Sequence, residues 1–278
     1  MAFTHAQLAD DLRAALSQTL KESRRFDPAP TVDLAVIAFP RGQPPIWANV
    51  LVTREWPAGI VADIDARAGS VSNIQYFADP TDESGVSIAW QPGADWTQLR
   101  ALRPLYGAGP FQSIAPYPAS LLKLMVATGV ARVVDEQHLL WSEPWSHAGS
   151  TQSLQQWLDP MITTSSNEAT TALVAFLHAR GLIRRQGPQE VFNGLHGCFE
   201  AWGLPTLRLA NTREDGGWFN RSGAGVGHLQ MTAWDTARLL WLLASCASPL
   251  GQEAAASELA RPPWMADGQA AILSSQSA

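Results

Sequence analysis

The sequence predicts an α+β protein, and three features of its order carry that prediction. An amphipathic helix opens the chain, short β-branched stretches bounded by Pro and Gly follow, and from about Ala119 the texture turns helical. Strands and helices are segregated, which argues against alternating βαβ units. The first helix is expected over 4–22, where Leu8, Leu12, Leu16 and Leu20 recur every four residues between polar neighbours and make one apolar stripe. Segments 32–39 and 46–53 read as strands, and 71–77 and 86–90 as weaker ones. Further helices are expected over 119–134, 154–158, 168–180, 189–202 and 232–244. Between Pro205 and Gly227 lies a polar loop too long for an ordinary connector, a length that goes with function or mobility. Its Gly223-Ala224-Gly225-Val226-Gly227 run follows no strand and fits neither dinucleotide nor phosphate fingerprints. The chain therefore divides into an α/β part at 1–118 with an insertion at 54–110, a helical part at 119–245, and a tail at 246–278 with no assigned element.

With 278 residues, 46% of them hydrophobic, the chain has enough material for one large core or two small ones. A net charge of -6 supplies no basic stripe to neutralise phosphates, so nucleic acid is not an expected partner; a small molecule or a peptide is. No stretch reaches the ~20 apolar residues of a transmembrane helix, and the start lacks a basic region followed by an apolar one. As written, the chain reads as a cytoplasmic monomer, with export left open. Cys198 and Cys246 read as buried free thiols. None of the six histidines sits in a ligand-spaced pair, so neither a metal nor another cofactor is expected.

The most informative segment is Tyr117-Pro118-Ala119-Ser120-Leu121-Leu122-Lys123-Leu124-Met125-Val126. Apart from Lys123, positions 121 to 126 are apolar, so this helix is expected to be buried on more than one face, where a lysine is expensive. Pro118 fits a helix start, which puts Ser120 in the first turn and Lys123 on the same face three residues on. Burial lowers an ammonium pKa, so Lys123 can take the proton of Ser120 while the helix N-terminus favours the oxyanion. The alternative is that Ser120 caps the helix and Lys123 extends to solvent. A second constellation is Met161-Ile162-Thr163-Thr164-Ser165-Ser166-Asn167-Glu168-Ala169. Ser165 and Glu168 there make a good capping box. Asn167 is less well explained by capping, and a hydroxyl and an amide two residues apart can also face a substrate.

These two segments together resemble the serine β-lactamase and penicillin-binding protein superfamily, nearest to class A, with Ser166 standing where that family usually has Asp. The later segment Gln230-Met231-Thr232-Ala233-Trp234-Asp235 resembles the family's helix after its Ω-loop, so the likeness covers roughly 111–245 in order. The resemblance implies an antiparallel sheet with flanking helices plus an all-helical domain. It implies Ser120 as acylated nucleophile, Lys123 as activating base, Ser165 as proton relay and Asn167 as a substrate-binding amide. Two departures limit it. The Glu-x-x-Leu-Asn loop of class A is absent, and Glu214, in the corresponding loop, reads better as a solvated turn acid than as a deacylation base. The Lys-Thr-Gly triad is also absent, since Lys21 and Lys123 are the only lysines. That absence is read as a sheet lacking its closing strands because the chain stops before them. The expected function is a serine hydrolase forming an acyl-enzyme on an amide or ester. The rivals are an esterase on the same fold, a penicillin-binding-like protein without efficient turnover, and an inactive truncated product.

Overall fold

The first helix, α1 (His5–Glu22), lays Leu8 and Ala9 on a three-stranded antiparallel sheet, using the first part of the stripe its leucine spacing predicts. This sheet, β1 (Val32–Ala38), β2 (Ile46–Val52) and β3 (Ile60–Val61), runs in that order, with Val32 opposite Val52 and Ala38 opposite Ile46. Its side chains alternate as the pleat requires. Val36, Ala38, Ile46, Ala48 and Val61 cluster with α1. Ala35, Ile37, Trp47, Leu51 and Ile60 cluster with Trp234 and Trp241 of α6 (Ala233–Ala244), which packs across β1. The computed structural model describes residues 4–22, 30–41, 43–53, 55–78, 104–115, 118–218 and 229–244.

Two carboxylates fasten α6, one on β1 and one on α6 itself. Asp33 on β1 accepts from the backbone N–H of Ala233 at 3.1 Å and from Asn49 Nδ2 at 2.6 Å. Asp235 accepts from Thr206 N at 3.0 Å and Thr206 Oγ1 at 2.5 Å, with Arg238 3.5 Å away. Burial pushes both carboxyls above the ordinary aspartate range.

The region read as an insertion holds part of a second small sheet, β4 (Ile74–Phe77), β5 (Pro104–Tyr106) and β6 (Phe111–Ile114), in the order β5-β4-β6. β4 and β5 are antiparallel, but β4 and β6 are parallel, so the sheets are not wholly antiparallel as expected. The return from β5 to β6 hugs β4: a Cβ at Gly107, which sits at φ +85°, would lie 2.1 Å from the Ile74 carbonyl oxygen. The strand expected at 86–90 lies outside the described residues, as do Gly223–Gly227, Cys246 and the tail.

The helical block consists of α2 (Leu122–Glu136), α3 (Leu154–Thr163), α4 (Asn167–Ala179) and α5 (Gly194–Ala201). Met125, Val126 and Val130 of α2 meet Leu158 and Met161 of α3, Leu173 and Leu177 of α4 and Phe199 of α5 in one core. The block is not all-helical. Among the described residues three two-stranded ribbons interrupt it: β7 (Pro144–His147) with β8 (Ser150–Ser153), β9 (Ile183–Gln186) with β10 (Gln189–Asn193), and β11 (Arg208–Leu209) with β12 (Leu229–Gln230). The helix expected over 189–202 therefore splits in two. Val191 and Phe192 go into a bulged strand, and Asn193 then starts α5 by accepting from His196 N at 3.2 Å. Ala148 and Gly149 both take positive φ between β7 and β8, the backbone that a two-residue hairpin needs.

On α5, His196 Nε2 accepts from the backbone N–H of Leu209 at 3.0 Å, which ties β11 to this helix. Burial, helped by nearby Arg208, pushes the His196 imidazole down to about 4. Between an unfolded value of about 6.5 and that folded value, the unfolded chain binds more protons. The stability linked to neutral His196 is complete above about pH 6.5 and is lost as pH falls towards 4, by about 2–3 kcal/mol. Urea midpoints of the parent should fall more steeply over that window than those of His196→Gln; parallel slopes would refute the assignment.

Candidate active site

The polypeptide enters α2 through a single 3₁₀ turn, Ala119–Leu121, which follows Pro118. Ala119 is held at φ +48°, a left-handed conformation that costs a non-glycine residue about 1–3 kcal/mol and recurs at functional sites. Ser120 is exposed on this turn. Lys123, in the first turn of α2, is only 5% exposed, because the surrounding α2 residues are buried on nearly every side.

The connection from α3 to α4 supplies the rest of the cluster. Thr164 closes α3, its Oγ1 donating to the Pro160 carbonyl at 3.0 Å. Ser166, not Ser165, caps α4, its Oγ accepting from Ala169 N at 3.1 Å. The capping box expected of Ser165 and Glu168 is thus not formed: the cap falls on Ser166, and the residue three on, Ala169, has no polar side chain to complete a box. Ser165 instead adopts φ +59° and its hydroxyl is released from capping. Asn167 is the first residue of α4 and is exposed.

The two segments meet at the Lys123 ammonium. Its Nζ donates to Ser165 Oγ at 3.0 Å, to Asn167 Oδ1 at 3.0 Å and to Ser120 Oγ at 3.2 Å. Ser165 Oγ in turn donates to Ser120 Oγ at 3.0 Å. An ammonium has three N–H donors, and all three are used. Among the described residues every partner is neutral, so no counter-ion there offsets the loss of water, and burial holds the Lys123 ammonium below its ordinary value. Because Asn167 turns its oxygen to Lys123, its two amide hydrogens are left to face another molecule.

Ser120, Lys123, Ser165 and Asn167 are therefore brought together, and Glu214 is not joined to them. It is exposed in a turn closed by Arg213 N to Gly217 O at 2.7 Å and Gly216 N to Arg213 O at 2.9 Å, and its charge bears on His178. Among the described residues, no carboxylate hydrogen-bonds to any of the four. Sequence reasoning missed the left-handed backbone at Ala119 and Ser165, since neither residue type advertises it. It also missed the pairing of His178 with Thr212 at 2.8 Å, which joins positions 34 residues apart.

Cys198 is a buried free thiol, pushed up to about 11 by burial. Among the described residues no group of three or more His, Cys, Asp or Glu could hold a metal ion. Nor is any described helix long and apolar enough to cross a membrane. Comparison with protein-family models, curated proteins and solved structures finds no match to this chain.

Proposed function

We propose that this chain is a serine hydrolase of the serine β-lactamase and penicillin-binding type, with Ser120 attacking an amide or ester carbonyl to form an acyl-enzyme. The observation that carries the reading is the Lys123 amine, buried without a counter-ion among the described residues and within hydrogen-bond distance of three groups from two separate segments. A structural lysine would extend to solvent or pair with a carboxylate.

The neutral fraction of Lys123 takes the Ser120 proton across the 3.2 Å contact as Oγ bonds to the carbonyl carbon. The carbonyl π pair moves to oxygen, and the oxyanion is favoured by backbone amides at the start of the helix. On collapse of the tetrahedral intermediate, Ser165 passes a proton to the leaving nitrogen or oxygen and is resupplied by Lys123; its Oγ lies 3.0 Å from both Lys123 Nζ and Ser120 Oγ. The Asn167 amide hydrogens are placed to bind a carbonyl of the substrate.

The lack of a carboxylate hydrogen-bonded to this cluster, among the described residues, favours a second reading in which acylation outpaces release. The chain would then behave as a penicillin-binding-like protein with poor turnover. One experiment addresses both. Intact mass is recorded over time after mixing with a penicillin and with an activated ester, for the parent and for Ser120→Ala. A parent adduct that is absent from Ser120→Ala is expected; its persistence or decay separates binding from turnover, and ester turnover without penicillin adduct marks an esterase. An adduct retained by Ser120→Ala would remove Ser120 as nucleophile.

A further inference from the structure

The last described helix, α6, serves two cores. Trp234 and Trp241 pack in the cluster on the sheet, whereas Leu239, Leu242 and Leu243 lie in the core that holds Met125 and Val126 of α2. At its start, Thr232 Oγ1 accepts from Asp235 N at 3.3 Å, and the first helical N–H, on Ala233, is taken at 3.1 Å by Asp33 from β1. Asp33 thus caps α6 from a distant part of the chain and ties the sheet to the helical block. Asn49 of β2, fully buried, steadies this carboxylate: its Nδ2 donates to Asp33 Oδ1 at 2.6 Å and to the Leu34 carbonyl at 3.0 Å. Both residues stand on the sheet face that carries Trp47 and Leu51.

The surroundings of Asp33 are short of positive charge and of donors. Among the described residues no Lys, Arg or His forms an ion pair with it. Asp235 of α6 bears on it with like charge, and Arg238 is turned to Asp235 at 3.5 Å and to the Gly203 carbonyl instead. Asn49 Oδ1 and the hydroxyl of Tyr76 on β4 are buried with no hydrogen-bond partner among the described residues. Burial, then the charges of Asp33 and Asp235, hold the Tyr76 phenol well above its ordinary value of 10, so it stays neutral. The other titratable side chains packed at this face are Tyr106 of β5 and His5 of α1, whose ring sits edge-on to Trp47 with centroids 4.3 Å apart.

We propose that Asp33 makes the seating of α6 sensitive to protons: the helix that joins the sheet to the helical block is held more firmly when this carboxyl takes a proton from solvent. The proton removes an uncompensated negative charge and adds a donor to a cluster with unpaired acceptors. The helix dipole favours a carboxylate at this end, as do the hydrogen bonds from Asn49 and Ala233. Loss of water, with the Asp235 charge acting in the same sense, outweighs them, and the Asp33 carboxyl lies above its ordinary 3.8. Between those two values the folded chain binds more protons than the unfolded one. The stability linked to Asp33 is therefore complete below about pH 3.8 and is lost as pH rises through the folded value, the reverse of His196. The device stands apart from the Ser120 chemistry.

The test compares urea denaturation of the full chain and of Asp33→Asn from about pH 8 to about pH 4. Asparagine keeps an oxygen for the Ala233 N–H but does not titrate, and Asp235 and His196 are present in both proteins, so their contributions cancel. As pH falls, the folding constant of the parent should rise relative to that of Asp33→Asn, by up to about tenfold per pH unit, the limit for one proton. A constant ratio would make Asp33 a purely structural cap, and a ratio that falls towards acid would reverse the sign; either overturns the proposal. Should Asp33→Asn fail to fold, hydrogen exchange of the parent decides, with peptides covering 229–244 read against 154–163 of α3 after correction for intrinsic rates. Protection of the α6 peptides should grow relative to α3 on the acid side. A relative protection that stays level or drops would show that α6 is not seated through Asp33. None of these outcomes bears on whether Ser120 is acylated.

Discussion

Replacing Lys123 by methionine is expected to slow acylation of Ser120 by about 10²–10⁴-fold and to leave the fold standing. The two halves of this result separate a base from a structural residue. Methionine fills much of the lysine stem's volume, and the site it enters is already apolar on the α2 side, with Met125 and Val126 fully buried nearby. It also removes an ammonium that has neutral partners and, among the described residues, no counter-ion, so the thermal midpoint should hold or rise. Ser120, Ser165 and Asn167 each lose one partner but are exposed, and water replaces it. The parent should show a second signature. Acylation should accelerate with rising pH as Lys123 deprotonates, with a midpoint below the ordinary lysine value of 10.5, because burial lowers it. That limb should vanish in Lys123→Met. A methionine variant that acylates at the parent rate would show that Lys123 is not the base.

Phe176→Ala is expected to cost about 3–5 kcal/mol of stability, measured by urea denaturation. The ring is fully buried on α4, packs edge-to-face on Trp145 at 5.5 Å between centroids, and lies under the Arg180 guanidinium at 5.4 Å. Removing it leaves a cavity in the core shared with α2, the helix that carries Lys123. Because α4 presents Asn167 at one end and His178 at the other, loss of the ring should loosen both. Leu140→Ala is the control: at 69% exposure it should change stability by less than about 0.5 kcal/mol. A cost at Phe176 near that of Leu140 would mean that α4 is not fixed by this packing.

Much of the α+β order was legible because it rests on period. The four-residue leucine spacing marked α1, the β-branched runs marked β1 and β2, and unbroken apolar texture marked α2 and α4. The ribbons β7–β8 and β9–β10 were not legible, since Pro144–His147 and Ser150–Ser153 are half-polar and are specified more by the turn between them than by an apolar pattern. The helix misassigned across 189–202 failed for a related reason: Gln189, Glu190 and Val191 suit either state, and pairing with β9 decides. In the candidate site, residue type and spacing pointed to Ser120, Lys123, Ser165 and Asn167, and local geometry then corrected one detail. Either serine at 165 and 166 can cap a helix; the left-handed turn at Ser165 gives the cap to Ser166 and the other hydroxyl to Lys123. The contact of His178 with Thr212 joins distant positions, and no local pattern in the sequence foretells it.

The Asp33 carboxylate and the Ala233 N–H that it accepts are 200 residues apart. The sheet face bearing Trp47 and Leu51 is covered by Trp234 and Trp241, which belong to the last described helix. On the ribosome, at about 5–20 residues per second, the segment that supplies the cover emerges roughly ten to forty seconds after the strands it must protect. The helical block, built largely from neighbouring pairs such as α3 with α4 and β9 with β10, has low contact order and can form inside that interval. The long-range closure by α6 follows it, and until then the waiting tryptophan-bearing face is open to capture by chaperones or by other nascent chains.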